Sequence, residues 1–305
     1  MPVGDRLSPI ERTWSAGWTA EMLPQPRDTL DRVIILGATP IGNLGDASGR
    51  LREALTTAPI IAAEDTRTAR QLIRALGLEA QPQLVALHEH NEEAASPALV
   101  ERARAEDVLV LTDAGMPTVS DPGFRLVQAA VAAGVAVTCL PGPSAVLTAL
   151  ALSGLPTDRF AFDGFLPRKA GERDRMLASV AREERTLVLF EAPHRLADSI
   201  EAIARAMPDR RIAVCRELTK RFEEVRRGTA AELVDWAKAG VKGEIVIVIE
   251  GAVPVLADLD AAVEQVLRLK AGGMRLKEAA AEVAEATGHP RNALYQAALA
   301  NPTTA

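Results

Sequence analysis

Three segments of the chain combine glycine, proline and short polar side chains in the way that ligand-binding loops do. They lie at residues 37–46, 113–123 and 141–145, and each comes at the end of a short apolar run. Glycine and proline bend the backbone, so backbone amides and carboxylates in such loops can approach a ligand closely. The segment at 113–123 holds more of these residues than a helix start requires, which favours a ligand loop over a simple cap.

The first of these loops does not match the common nucleotide-binding motifs. Gly37 and Gly42 have the spacing of a phosphate-binding loop, but Asn43 stands where that motif needs its lysine. The G-x-G-x-x-G pattern of dinucleotide-binding proteins is also missing from the sequence. The residues by themselves therefore predict only a tightly bent turn between a strand and a helix.

The elements that position these loops alternate between strands and helices. Such alternation is typical of a parallel sheet with helices on both faces, so the first domain is predicted as α/β. The three loops then fall at the carboxyl edge of the sheet, where ligands bind in this class. The predicted strands are 33–36, 60–63, 84–87, 108–111 and 135–140, and the predicted helices are 51–57, 68–76 and 124–133.

The rest of the chain reads as a second α/β domain and a helical tail. Strands are predicted at 160–162, 186–190, 211–215 and 244–250, with 225–228 as a further short candidate, and helices at 171–181, 193–207, 230–238, 256–270, 276–287 and 291–299. We thus expect an irregular extension at 1–31, α/β domains at 32–153 and 154–252 with a cleft between them, and a small helical domain at 253–305. The tail is slightly acidic, which favours a packing or interaction module over a strong nucleic-acid-binding helix-turn-helix.

Composition and charge exclude several classes of protein. Of the 305 residues, 48% are apolar and 25% are charged, which is typical of a folded globular protein rather than a disordered one. The net charge of −6 argues against binding nucleic acid with the whole surface, and a local basic patch stays compatible with it. The sequence has neither a signal-peptide pattern nor an apolar run near the roughly 20 residues of a membrane span, so we expect a cytoplasmic protein with no membrane partner.

Several segments resemble one known family, in the same order along the chain. They are 38–44 (ATPIGNL), 63–67 (AEDTR), 113–123, 141–145, 190–195 (FEAPHR), 216–220 (RELTK) and 242–244 (KGE). The chain is similar to the tetrapyrrole methylase-like superfamily of S-adenosylmethionine-dependent methyltransferases, and within it to the branch that methylates ribosomal RNA. The resemblance covers residues 32–250, and the patterns at 277–280 and 292–295 look like the small C-terminal helical domain of that branch.

The resemblance implies S-adenosylmethionine as the methyl donor, held in the cleft between the two α/β domains of a homodimeric enzyme. The residues expected to line the donor are Pro40, Asp113, Ala114, Gly115, Met116, Val119, Ser120, Ser144, Ala145 and Phe190. Members that methylate tetrapyrroles carry a glycine-rich first loop, whereas residues 38–43 here read ATPIGN. That difference favours the ribosomal RNA branch, which methylates the 2′-hydroxyl of a cytidine in 16S rRNA. Methylation of a tetrapyrrole or another small molecule stays open as the alternative.

Methyl transfer to a ribose 2′-hydroxyl needs that hydroxyl aligned with the methyl carbon and a base or hydrogen-bond acceptor beside it. Asp65 and Glu64 follow the second predicted strand at the loop edge, and Asp65 is the first candidate for the base. Glu191 and Lys220 of the second domain are further candidates. Each carboxylate has a structural alternative as a helix cap or a surface ion pair. The reaction needs no metal, and the His-x-His at 88–90 lacks a third ligand, so no metal is expected.

Two local concentrations of cations predict where RNA binds to this acidic protein. The segments 168–175 and 216–227 each hold two more cations than anions, which is also compatible with an ordinary salt-bridged surface. The residues expected to contact 16S rRNA, free or in the small ribosomal subunit, are Arg168, Lys169, Arg195 and Arg221. Strand spacing favours Phe160 and Phe162 as core residues rather than stacking platforms for bases. A non-catalytic ribosome-binding protein with the same fold is a third interpretation.

Overall fold

The computed structural model describes residues 32–253 and 258–301. Within them the chain divides into two compact units. One is formed by residues 32–40 and 44–143, and the other by residues 41–43 together with the described residues from 144 onward. The extension predicted at 1–31 lies outside the described residues.

A parallel sheet forms the centre of the first unit. Its strands are β1 Val33–Gly37, β2 Ile60–Ala63, β3 Gln83–Ala86, β4 Val108–Leu111 and β5 Ala136–Leu140. They lie in the order β3-β2-β4-β1-β5, and every neighbouring pair is parallel. All residues of β2 and β4 are buried, as expected for central strands covered on both faces. The predicted α/β class is confirmed, and the predicted strand ends are correct to within one residue.

Helices cover both faces of this sheet. They are α1 Gly49–Thr57, α2 Thr66–Ala75, α3 Glu92–Arg102 and α4 Phe124–Ala132. Successive strand residues point to opposite faces, so Ile35 and Leu109 pack in one apolar cluster with α1 and α2. Ile34 and Val108 pack in the other cluster, with α3 and α4.

Helix α3 was not predicted from the sequence. Its apolar periodicity is weak and Pro97 lies inside it, where proline removes a backbone donor and usually ends a helix. Leu99 and Val100 are nevertheless buried in the cluster under the sheet. Tertiary packing therefore stabilises a helix that the local sequence does not favour.

The second unit is also α/β, as predicted, and its sheet is mixed. Its strands are β6 Phe160–Phe165, β7 Thr186–Glu191, β8 Arg211–Arg216, β9 Glu224–Thr229 and β10 Ile245–Ile249. Their order is β6-β7-β10-β8-β9. β6 and β7 are parallel, and the other neighbouring pairs are antiparallel. The ends of β7 and β8 therefore lie beside the start of β10, because Ile245 pairs with both Glu191 and Arg216.

The helices of this sheet are α5 Ala145–Ser153, α6 Ala170–Ser179, α7 Leu196–Ala206 and α8 Ala230–Lys238, with a 3-10 turn at Pro193–Arg195. Helix α5 was not predicted, because its nearly continuous apolar sequence has no helical periodicity to detect. Val146 and Leu150 of α5 pack with Val188 and Ala213 of the mixed sheet. This packing explains why α5 belongs to the second unit rather than to the first domain, where the predicted boundary at 153 placed it.

The C-terminal part is helical, as predicted. Its helices are α9 Leu259–Ala271, α10 Leu276–Thr287 and α11 Arg291–Ala300. Val266, Val283 and Leu294, one from each helix, are fully buried in a shared apolar cluster. Across residues 32–253 and 258–301, the structure has no helix that is long and apolar enough to cross a bilayer.

Candidate functional site

The three bent loops of the first unit meet at the carboxyl edge of its parallel sheet. Thr39 and Gly115 exchange backbone hydrogen bonds of 2.9 and 3.1 Å, which joins the loop after β1 to the loop after β4. Gly142, after β5, approaches Ala38 so closely that a Cβ on the glycine would lie 2.9 Å from the Ala38 side chain. The prediction that these loops share one edge is confirmed.

The loop at 113–123 has an unusual backbone. Gly115 and Gly123 have positive φ angles, and so do Thr118 and Ser120, at 76° and 64°. Side-chain-bearing residues rarely adopt this region, and they do so mainly where the surrounding structure enforces a functional shape. The strained residues include Ser120, one of the predicted donor contacts, and they lie beside Val119, whose side chain is exposed.

Glu92 anchors the far end of this loop and was missed by the sequence interpretation. Its carboxylate is buried and accepts hydrogen bonds from the backbone N–H groups of Gly123, Arg125 and Leu126, at 2.9, 2.7 and 3.3 Å. These are the first donors of α4, which otherwise lack partners at a helix start. Because Glu92 belongs to the unpredicted α3, no local pattern indicates that its carboxylate fixes the loop.

Carboxylates concentrate at the same edge. The side chain of Glu64 is half-buried, and its Oε2 accepts a hydrogen bond of 3.2 Å from the backbone N–H of Asp113. Partial burial, with the charges of Asp113 and Asp65, raises the pKa of Glu64. Burial and the charges of Glu64 and Asp113 raise the pKa of Asp121 from 3.8 to about 7. Glu64 and Asp121 therefore hold a proton more readily than ordinary carboxylates do.

Asp65, the first candidate for the base, has a different environment. It caps α2 by accepting a hydrogen bond of 2.7 Å from the backbone N–H of Arg67, and it forms a bidentate ion pair with the Arg67 guanidinium. These contacts lower the pKa of Asp65 to about 2. A carboxylate that resists protonation so strongly is a weak proton acceptor near neutral pH. By its environment, Glu64 is therefore better suited than Asp65 to accept a proton near neutral pH.

The raised pKa of Asp121 leads to a testable pH dependence of stability. The folded protein binds this proton more tightly than the unfolded chain, so the associated stability is complete below about pH 4 and is lost as the pH rises through about 7. Asp121→Asn removes the titration. We expect the variant to melt at the wild-type temperature at pH 4 and above it at pH 8. Asp46→Asn, at an exposed aspartate of the same unit, is the control, and equal shifts in both variants would contradict the prediction.

In the second unit, Glu191 lies at the end of β7 with a fully buried carboxylate. It accepts hydrogen bonds from the Ser199 hydroxyl and from the Ala192 backbone N–H, and the Arg195 Nε lies 3.3 Å away. Arg195 also donates to the carbonyl oxygens of Leu166 and Pro167. The polar atoms of both side chains are thus occupied by contacts within the second unit. We therefore expect a structural role for Glu191 instead of a catalytic one, and a structural role for Arg195 instead of RNA binding.

Lys220 is held between two carboxylates. Its ammonium lies 2.9 Å from Glu217 Oε1 and 3.1 Å from Glu244 Oε2. Glu217 and Thr219 on either side of Leu218 have positive φ angles of 51° and 64°, so this turn is strained like the loop at 113–123. A catalytic role for Lys220 stays a prediction.

The remaining predicted contacts are divided between the two units. Pro40, Asp113, Ala114 and Met116 are exposed or half-buried at the loop edge of the first unit. Ser144 caps α5 in the second unit, with Leu147 N 3.5 Å from its hydroxyl oxygen, and Ala145 begins that helix. Phe190 packs edge-on against Phe162 and Phe165. Arg168, Lys169 and Arg221 are exposed, and Lys169 forms a surface ion pair with Glu172.

Comparison with known proteins places this fold in a family. A family model described as tetrapyrrole (corrin/porphyrin) methylases matches residues 32–234, and one described as the RsmI C-terminal HTH domain matches residues 257–302. A crystal structure of diphthine synthase has the same fold, with a TM-score of 0.54 and 19% identity over 72% of this chain and 89% of that chain. The parallel sheet followed by a mixed sheet is thus that of a tetrapyrrole methylase-type protein.

The sequence relatives define the family more narrowly. Ribosomal RNA small subunit methyltransferase I of Mycobacterium tuberculosis strain H37Rv is 49% identical over 274 residues, which cover 87% of this chain and 94% of that protein. The protein of the same name from Xylella fastidiosa is 47% identical and covers 85% of this chain and 96% of its own length. This chain belongs to the tetrapyrrole methylase family and, within it, to the family of ribosomal RNA small subunit methyltransferase I. The resemblance seen in the sequence is confirmed.

Proposed function

We propose that this protein transfers a methyl group from S-adenosylmethionine to the 2′-hydroxyl of a cytidine ribose in the 16S rRNA of the small ribosomal subunit. The observation that carries the proposal is 49% identity across 94% of a relative that is named as a small-subunit rRNA methyltransferase. The carboxylates and bent loops at the carboxyl edge of the first sheet support it, because this edge is where α/β proteins bind their ligands.

The first unit suits a donor that carries positive charge. S-adenosylmethionine has a sulfonium and an ammonium group, and the exposed Asp113 lies on the strained loop beside the half-buried Glu64. When bound, the donor would supply an electrophilic methyl carbon on its sulfonium sulfur, which leaves as a neutral thioether. We assign to donor binding Pro40, Asp113, Ala114, Gly115, Met116, Val119 and Ser120 of the first unit, with Ser144, Ala145 and Phe190 of the second.

Glu64 is the residue we assign to the 2′-hydroxyl. Its carboxylate accepts the hydroxyl proton as the ribose oxygen forms its bond to carbon, and its raised pKa makes it a better acceptor near neutral pH than Asp65. The Asp113 N–H holds one oxygen of Glu64, which orients the other. Asp65 caps the start of α2 and thereby fixes the turn that carries Glu64.

RNA binding is assigned to the cations at 168 and 169 and to Arg221. Reversing both charges, in Arg168→Glu with Lys169→Glu, should weaken RNA binding and leave donor binding unchanged. Two lost phosphate contacts should lower the slope of log affinity against log salt by about two. The same reversal at the exposed Arg70 and Arg74 of α2 changes the net charge equally and is the control. An unchanged slope in the first variant would show that Arg168 and Lys169 do not contact RNA phosphates.

Two other functions make different predictions. A methyltransferase of tetrapyrroles would label a corrin or porphyrin precursor from radiolabelled donor, and a non-catalytic ribosome-binding protein would label nothing. We expect label in immature small subunits and none in the tetrapyrrole precursors. Label in the small molecule alone, or in neither substrate, would contradict the proposal.

The resemblance also supports a cellular setting and an assembly. We propose that the protein acts in the cytoplasm as a homodimer. The predicted division into an extension at 1–31, α/β domains at 32–153 and 154–252, and a helical domain at 253–305 stays a proposal, with the boundary at 153 moved to 143 because α5 packs with the second sheet. Sedimentation of the purified protein would test the dimer.

A further inference from the structure

A groove in the second unit includes Arg168, one of the cations assigned to RNA binding, and its apolar surface has no role so far. It has a volume of about 750 Å³ and lies between the end of β6 and the 3-10 turn after β7. Its walls include Phe165, Pro167, Arg168 and His194. The groove is mostly apolar, it contains cations, and no carboxylate lines it.

Phe165 is the main apolar surface of the groove. Its side chain is 56% exposed, which is unusual for a large aromatic residue on a strand beside a core. The ring is fixed from behind by Phe190, with the ring centroids 5.5 Å apart and the planes inclined by 62°. A register shift in the pairing of β6 with β7, between Phe162 and Phe165, sets this end of the strand apart from the regular ladder. The result is an ordered aromatic surface open to solvent.

The backbone that follows Phe165 is held in place by Arg195, which also lines the groove. The Arg195 guanidinium donates to the carbonyl oxygens of Leu166 and Pro167 and pairs with the buried Glu191. The backbone beside Phe165 is therefore fixed before any ligand arrives. A preformed groove loses little conformational entropy on binding.

The charged groups of the groove are available to a ligand. Arg168 and His194 are both exposed, and within the described residues neither side chain has a hydrogen bond or an ion pair. Arg168 presents a planar guanidinium that suits phosphate oxygens, and His194 presents ring nitrogens that can bond to a base edge or a ribose. An aromatic surface beside an unpaired cation is the combination with which proteins bind single-stranded nucleic acid.

We propose that this groove binds one unpaired nucleobase of the RNA substrate, stacked on Phe165 with its phosphate on Arg168. The proposal rests on the proposed function, because an RNA substrate is what supplies such a base. Of the two β6 aromatic residues expected in the core, Phe162 is half-buried in an apolar cluster, but Phe160 is 38% exposed, so the expectation is wrong for Phe160. Phe165, for which no core position was predicted, is 56% exposed. The His194 ring nitrogens form hydrogen bonds with the same nucleotide. The groove thus positions the RNA substrate and takes no part in methyl transfer itself.

The test compares three variants of the full-length protein. Phe165→Leu keeps an apolar side chain against Phe190 and removes the stacking face, and Phe165→Trp restores a stacking face. Phe160→Leu, at the other end of β6 and 38% exposed, is the matched control. Affinity is measured by fluorescence anisotropy with a labelled single-stranded RNA oligonucleotide that contains cytidine, and donor affinity is measured by calorimetry.

We expect Phe165→Leu to weaken RNA binding by about fivefold or more, from the loss of one base stack. Phe165→Trp and Phe160→Leu should bind within about twofold of wild type, and donor affinity should be unchanged in all three. Wild-type RNA affinity in Phe165→Leu, or no RNA affinity in the wild type, would overturn the proposal. So would a loss of donor affinity instead, which would place the adenine of the donor in the groove. Wild-type methyl transfer to small subunits is assayed in parallel, so a failure of the groove is distinguished from a failure of the proposed function.

Discussion

Replacing Glu64 by Gln should slow methyl transfer by about a hundredfold or more, which is the usual contribution of a general base. Gln keeps the size of the side chain and an oxygen that can accept the 3.2 Å hydrogen bond from Asp113 N–H, but it cannot take up the proton. Because the pKa of Glu64 is raised, the wild-type rate should increase with pH as this carboxyl loses its proton. The variant should lose that part of the pH dependence.

Asp65→Asn is the matched control at the neighbouring residue. Asn caps a helix as well as Asp does, so α2 should form normally, and the rate should stay close to wild type. Turnover at saturating donor and the melting temperature are measured for both variants. If Asp65→Asn were the slow variant and Glu64→Gln the fast one, Asp65 would be the base, as the sequence first indicated.

Removing the buried carboxylate of Glu191 should have the largest effect on stability. Glu191→Ala leaves Arg195 without its buried ion-pair partner and Ser199 without its acceptor. Losing one member of a buried pair typically costs about 3–5 kcal/mol in the free energy of unfolding. Arg195 keeps its bonds to two carbonyl groups, so we expect about 3 kcal/mol, measured by urea unfolding.

Glu264→Ala provides the control for this change. Glu264 also pairs with an arginine, Arg268, but both side chains are largely exposed, and exposed pairs four residues apart on a helix contribute about 0.3–0.5 kcal/mol. A Glu191→Ala protein that unfolds at the wild-type urea concentration but has lost methyl transfer would contradict the structural role. It would restore Glu191 to the catalytic set that the sequence indicated.

The strands could be predicted from the sequence because their signal is local. Apolar runs such as Val108–Leu111 are buried on both faces, and no other element explains four consecutive large aliphatic residues so simply. The helices that were missed lack a local signal. Pro97 lies inside α3 and argues against a helix there, and α5 is too uniformly apolar to show a helical period of hydrophobicity. Both form because the sheets provide apolar surfaces for them to cover.

The meeting of the three bent loops at one edge of the sheet could also be predicted, but the environments of their side chains could not. The high content of Gly, Pro and Asp identifies the loop at 113–123 as a candidate ligand loop, and its backbone is strained in the structure. The pKa values of Glu64 and Asp65 differ because Arg67 pairs with Asp65, whereas Glu64 is partly buried. The order of residues in the sequence does not indicate either fact. Burial beside other carboxylates also raises the pKa of Asp121 to about 7, and no pattern in the sequence indicates this.

The most direct test of the central claim is to identify the methylated nucleoside. The purified protein is incubated with S-adenosylmethionine carrying a labelled methyl group and with small ribosomal subunits isolated before methylation. The 16S rRNA is then digested to nucleosides and analysed by mass spectrometry. The account predicts that the label appears as 2′-O-methylcytidine, and that Glu64→Gln greatly reduces it. Label on a base carbon or nitrogen, on another nucleoside, or on no RNA at all would contradict it.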